Sequence, residues 1–159
     1  MSLATVLTLA FIIGVVAGLR SFTAPAAVCW AAFLGWLHLE GSKLSFLGTT
    51  AAVYISSLLA LGELVLDKQK WIAARTKPGP LIDRIIMGAL SGAAFCISAG
   101  QSIPAGAITG GLGALVGTYG GYQARHRIVV GRKAPDIAVA LVEDAVAVGG
   151  AWLIVSRFS

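Results

Sequence analysis

The sequence predicts an all-α integral membrane protein with six transmembrane helices arranged as a 3+3 inverted-topology repeat. Three observations lead there. Of 159 residues, 57% are hydrophobic and 12% are charged, about half the charged share of an average soluble domain, and the mean hydropathy is +0.86. The charges are clustered: most lie in 67–84 and 125–136, and the 40 residues from 85 to 124 carry none. The two halves of the chain also share short motifs in the same order. A soluble domain needs a charged shell that this composition cannot supply, and disorder needs low hydrophobicity, so both are excluded.

The predicted spans are about 3–19, 24–38, 48–67, 83–100, 104–124 and 135–157. At 1.5 Å per residue, about 20 apolar residues cross a bilayer core of ~30 Å. The stretch 85–124 is therefore two passes with a turn at Ala99-Gly100-Gln101-Ser102-Ile103-Pro104. The second span is short, about 22 Å as a helix, which implies tilt, local thinning or partial re-entry. The first resembles a signal peptide but lacks a basic leader, and Pro25 sits in its Ala24-Pro25-Ala26 site, so it is read as an uncleaved span. A five-span alternative, with 3–38 as one helix, would need about 53 Å of continuous helix through Gly18 and Pro25.

Loop charge sets the orientation. Alternating outward from a cytoplasmic loop at 68–84 puts ten basic residues inside (Arg20, Lys68, Lys70, Arg75, Lys77, Arg84, Arg125, Arg127, Arg132, Lys133) and two outside, Lys43 and Arg157. That asymmetry is the positive-inside pattern of a multi-pass protein of the cell's inner (plasma) membrane, with both termini outside. It also accounts for the net charge of +5 without nucleic acid as a partner. The chain is read as a single membrane domain: one half at about 1–70, a basic loop at about 68–84, and a second half at about 83–159.

The repeat rests on three pairs. Ile12-Ile13-Gly14-Val15-Val16-Ala17-Gly18 resembles Ile86-Met87-Gly88-Ala89-Leu90-Ser91-Gly92, Thr23-Ala24-Pro25-Ala26-Ala27 resembles Ser102-Ile103-Pro104-Ala105-Gly106, and Ala60-Leu61-Gly62-Glu63 resembles Ala140-Leu141-Val142-Glu143. The Pro-to-Glu spacing is 38 residues in one half and 39 in the other. Three spans per half is an odd number, so the second half enters the membrane from the opposite face, as in many secondary transporters.

Charges inside apolar spans are costly and face protein or a water cavity. Arg20, Glu63, Asp67, Glu143 and Asp144 are therefore the candidate binding residues. Two readings stand beside each other: a polar cluster between the halves that binds a cation or relays protons, or an arginine–acid lock that holds helices together. Thr23 and Ser102, just before Pro25 and Pro104, are candidate helix caps, and helix starts facing a cavity can meet an anion. Tyr119 sits among the glycines of 104–124, where it lines a cavity or an interfacial belt. Those glycines form small-xxx-small pairs for close helix approach, at the protein's centre or in a homodimer. Cys29 and Cys96 read as packing residues without metal-ligand spacing. The spacing Gly111-x-Gly113-x-x-x-Gly117 lacks the strand context of a dinucleotide loop. With no Ser/His/Asp pattern and no P-loop either, no catalytic residue, metal, cofactor or enzymatic activity is expected.

Ala17-Gly18-Leu19-Arg20-Ser21-Phe22, Gly62-Glu63-Leu64-Val65-Leu66-Asp67-Lys68 and Leu141-Val142-Glu143-Asp144 resemble motifs of the domain of unknown function 4126 family, small multi-span and mainly bacterial membrane proteins. The resemblance covers most of the chain and implies Arg20, Glu63, Asp67, Lys68, Glu143 and Asp144 as motif positions, with no established activity. The chain departs from it at Thr76-Lys77-Pro78-Gly79-Pro80, where an Arg-Pro pair would be expected. The functional expectation is a small transporter or channel-like protein, a homodimer in the lipid bilayer, for an ion or small polar solute. The alternative is a non-transporting scaffold or lipid-binding protein whose polar cluster is structural.

Overall fold

The computed structural model describes residues 1–66, 77–128 and 136–159. Among the described residues six α-helices follow one another: α1 (Leu3–Leu19), α2 (Thr23–Phe33), α3 (Thr50–Leu66), α4 (Pro78–Ser98), α5 (Ile103–His126) and α6 (Asp136–Val155). Short 3-10 turns at Ser45–Gly48 and Ser156–Phe158 precede α3 and follow α6. No strand occurs among the described residues.

Local chemistry sets most boundaries. Ser2 caps α1 by accepting the Thr5 N–H at 3.2 Å. The helix stops where Arg20 turns extended, with φ −143° and ψ 112°, so 3–38 is two helices. α2 ends at Phe33, five residues before the expected edge, because Gly35 takes φ +78° and lets the Trp36 N–H return to the Ala31 carbonyl at 2.9 Å. α4 begins at Pro78 rather than near residue 83, since proline is tolerated at a helix start. Asp83 and Arg84 therefore lie within a helix, not a loop.

Small residues make the closest approaches between helices. α5 lies against both α1 and α4, which also touch each other. A Cβ on Gly14 would fall 2.1 Å from the Gly110 carbonyl oxygen, and one on Gly113 would fall 2.1 Å from that of Phe11. Across the other face of α5, a Cβ on Gly92 would lie 2.2 Å from the Gly106 oxygen. α6 covers α1 and α2, while α3 rests on α2 and the turn before it. Phe95 and Ile13 are fully buried, but many other large apolar side chains point outward, with Leu58 69% exposed and Leu153 65% exposed. Arg20, by contrast, is the largest fully buried side chain among the described residues, at 0%. Among the described residues, two helical segments, Pro78–Ser98 and Ile137–Phe158, are long and apolar enough to cross a membrane.

Candidate functional site

The site forms around one buried turn. Between α1 and α2 the chain runs Arg20-Ser21-Phe22, and a helix end plus a helix start leave backbone groups without intrahelical partners. Buried groups of this kind must be satisfied by something else.

Glu63 and Arg84 do so from other helices. One Glu63 carboxylate oxygen accepts the Ser21 N–H at 2.8 Å and the other accepts the Phe22 N–H at 2.9 Å. The Arg84 guanidinium donates to the Gly18 carbonyl, and to that of Leu19 at 3.1 Å. The Thr118 hydroxyl also reaches the Gly18 oxygen, at 3.2 Å, while bonding the Ala114 carbonyl at 2.8 Å. An anion thus sits at the start of α2 and a cation at the end of α1, the signs that each helix dipole favours. The two side chains are themselves 3.8 Å apart and nearly enclosed.

Arg20 extends the cluster to α6 through an ion pair with Asp144, a charge-assisted contact between groups largely removed from solvent. Glu143 pairs instead with Arg125, at the end of α5, at 3.7 Å. Glu143 and Asp144 diverge because adjacent helical residues point about 100° apart. Arg20–Asp144 joins the turn after α1 to α6, and Glu63–Arg84 joins α3 to α4.

Of the residues expected from sequence, Arg20, Glu63 and Asp144 meet around the turn and its immediate neighbours, and Glu143 lies beside Asp144 in a separate pair. Asp67 lies outside the described residues. Neither expected hydroxyl cap forms: Ser102 holds the N-cap position of α5 without a side-chain bond, and the N-cap of α2 is Phe22, served by Glu63. The Thr23 hydroxyl is buried without a hydrogen-bond partner among the described residues. Ser102 stands 16 residues, about 24 Å of helix, from Thr118, and Tyr119 is 46% exposed. Sequence reasoning placed Arg84 and Arg125 among the loop charges and overlooked Thr118. The signal was in the spacing: Arg84, Gly88 and Gly92 lie four apart, as do Gly110, Ala114 and Thr118, so each set marks one small-residue face.

No group of three or more His, Cys, Asp or Glu side chains suited to a metal occurs among the described residues. Cys29 and Cys96 are buried free thiols. A cavity of about 580 Å³ between α2, α3 and α6 is apolar and has no charged residue in its lining.

Neither a curated protein nor a solved structure matches the chain. Residues 7–157, which include every member of the cluster, match the family described as a domain of unknown function (DUF4126), and the chain belongs to that family.

Proposed function

We propose that the protein is a multi-pass membrane protein that binds lipid within the bilayer and uses its charged cluster as an internal clamp, not as a solute path. The membrane placement is supported by the inside-out pattern of exposed leucines around a buried arginine. With the basic loops cytoplasmic, Arg84 lies about 9 Å and Asp144 about 12 Å along their helices from the inner ends. α2, at 11 residues, spans only about 16 Å, so α1 and α2 form a hairpin that dips toward the inner leaflet and returns. Non-helical backbone at that depth persists only when protein satisfies it. The observation that carries the clamp reading is Glu63, both of whose carboxylate oxygens accept backbone N–H groups of that turn.

The test is flux and stability together. Proteoliposomes holding wild type or Glu63→Gln plus Glu143→Gln are expected to show the same passive leak for small ions and polar solutes. The variant should unfold more readily, by about 2 kcal/mol or more, since an amide oxygen accepts less strongly and its nitrogen meets a donor. Uptake by wild type above protein-free vesicles, lost in the variant, would falsify the clamp reading.

Such uptake would favour the transport reading, which one observation supports. Arg20–Asp144 and Glu63–Arg84 both tie the first three helices to the last three, where an inverted repeat would rock between inward-open and outward-open states. In that reading the pairs are a closed gate. A homodimer through the exposed apolar faces is compatible with either.

A further inference from the structure

The clamp leaves one large feature unused, the apolar groove between α2, α3 and α6. Its floor is made of small residues, Ala26 and Ala27 of α2, Ala60 of α3 and Ala151 of α6. α3 and α6 stand apart on either side, and Trp30 Nε1 bridges to Ser57 Oγ at 3.0 Å along the α2–α3 seam. On α2 the groove runs from Thr23 to Leu34, about 16 Å of helix. That is close to half of a ~30 Å hydrocarbon core, the depth of one leaflet.

The groove does not end in featureless surface. Trp152 lines it, and the Trp152 ring packs edge-on against Trp36, with centroids 5.3 Å apart. Trp36 in turn lines a second, polar cavity of about 240 Å³ with His38, Ser98, Arg157 and Phe158. No Asp or Glu occurs in that lining, and Arg157 is exposed. An apolar slot one leaflet deep therefore leads past a tryptophan pair to a cationic pocket at the outer ends of the helices.

We infer that this composite site holds one phospholipid of the outer-facing leaflet, with an acyl chain in the groove and an anionic headgroup at Arg157. The inference rests on the membrane placement and lipid-binding reading above, and names the lipid class and its location. Charge complementarity selects the headgroup and the length of the slot selects the chain. A slot of this volume lies within the range of single small-ligand pockets, and its narrow alanine floor suits a flexible chain.

The test counts bound lipid on delipidated protein by native mass spectrometry, with phosphatidylglycerol or phosphatidylcholine of identical chains added back. Ala27→Phe and Ala60→Phe fill the slot from two different helices. Each is expected to cut retained lipid of both kinds at least tenfold while helicity and elution stay unchanged. Arg157→Gln is expected to leave chain binding in place and reduce the preference for phosphatidylglycerol about fivefold, the effect of one basic group near a lipid surface. Ile108→Phe, on the exposed face of α5 outside the groove, is expected to change neither. Wild-type lipid retention in both folded phenylalanine variants overturns the site, and an unchanged headgroup preference in Arg157→Gln overturns the assignment of its cationic end. These variants leave Glu63 and Glu143 intact, so failure here is separate from failure of the clamp reading, which solute flux decides.

Discussion

At the scale of the residue, the central fact is that a fully buried arginine is tolerated because its surroundings were built for charge. Arg20 meets Asp144, whose side chain is 12% exposed. Removing one member of such a pair leaves an uncompensated buried charge and costs about 3–5 kcal/mol, whereas replacing both with apolar groups costs far less. Arg20→Met and Asp144→Leu should each destabilise strongly, and the double variant should fall short of their sum by more than ~1 kcal/mol. Unfolding in mixed micelles measures the cycle, and simple additivity would show that the pair is not coupled. The sequence marked Arg20, Glu63, Glu143 and Asp144 because a charge inside an apolar stretch is conspicuous. It hid Arg84, which follows a charged loop closely enough to be counted with it. Thr23 and Ser102 misled for a different reason: Pro near a helix start suggests a hydroxyl cap, but the α2 start receives a carboxylate from α3, and no local pattern encodes a cap from another helix.

At the scale of the element, packing is decided by where backbones touch. α5 is sandwiched so closely that most of its central glycines have no room for a methyl group, while Gly62 on α3 has nothing within 4 Å. Gly113→Ala should therefore force α1 and α5 apart and cost about 1–3 kcal/mol from overpacking. Gly62→Ala, with open space around it, should stabilise α3 by up to ~1 kcal/mol through helix propensity alone. Thermal unfolding of the two variants side by side reads the contrast, and equal effects would mean that the close approach at Gly113 relaxes freely. The glycine spacing of 104–124 announced a helix made for close neighbours. Which neighbours it meets was not legible, because any small-residue face fits any other, and only the fold selects α1 and α4. The turn after α1 was legible to within a residue, with expected edges at 19 and 24 against Leu19 and Thr23. The end of α2 was missed by five residues, because the left-handed backbone at Gly35 leaves no mark in an apolar pattern. What holds the first turn was not legible either, since Glu63 and Arg84 reach it from other helices.

At the scale of the whole molecule, the proposed orientation and the buried turn make one joint prediction. In that orientation six crossings return the chain to its starting side, ten basic residues against two face inward, and both termini lie outside. Reporters fused at either end should therefore register as external, Lys43→Cys should be labelled from outside, and Lys77→Cys only after the inner face is opened. A single terminus found inside sinks this topology. The hairpin adds a sharper demand. Ser21 is 4% exposed and its N–H is held by Glu63, so a cysteine there should resist a membrane-impermeant thiol reagent from both sides, although it lies between two helices where a six-pass diagram draws a cytoplasmic loop. Combining Ser21→Cys with Glu63→Ala removes the acceptor for two backbone donors and leaves Arg84 without that carboxylate. The turn should then become reactive from the inner face, at least tenfold faster than before, while labelling at Lys43→Cys stays constant. Ready labelling of Ser21→Cys with Glu63 intact would mean that the turn emerges into the cytoplasm and that the charged cluster has another purpose than holding it.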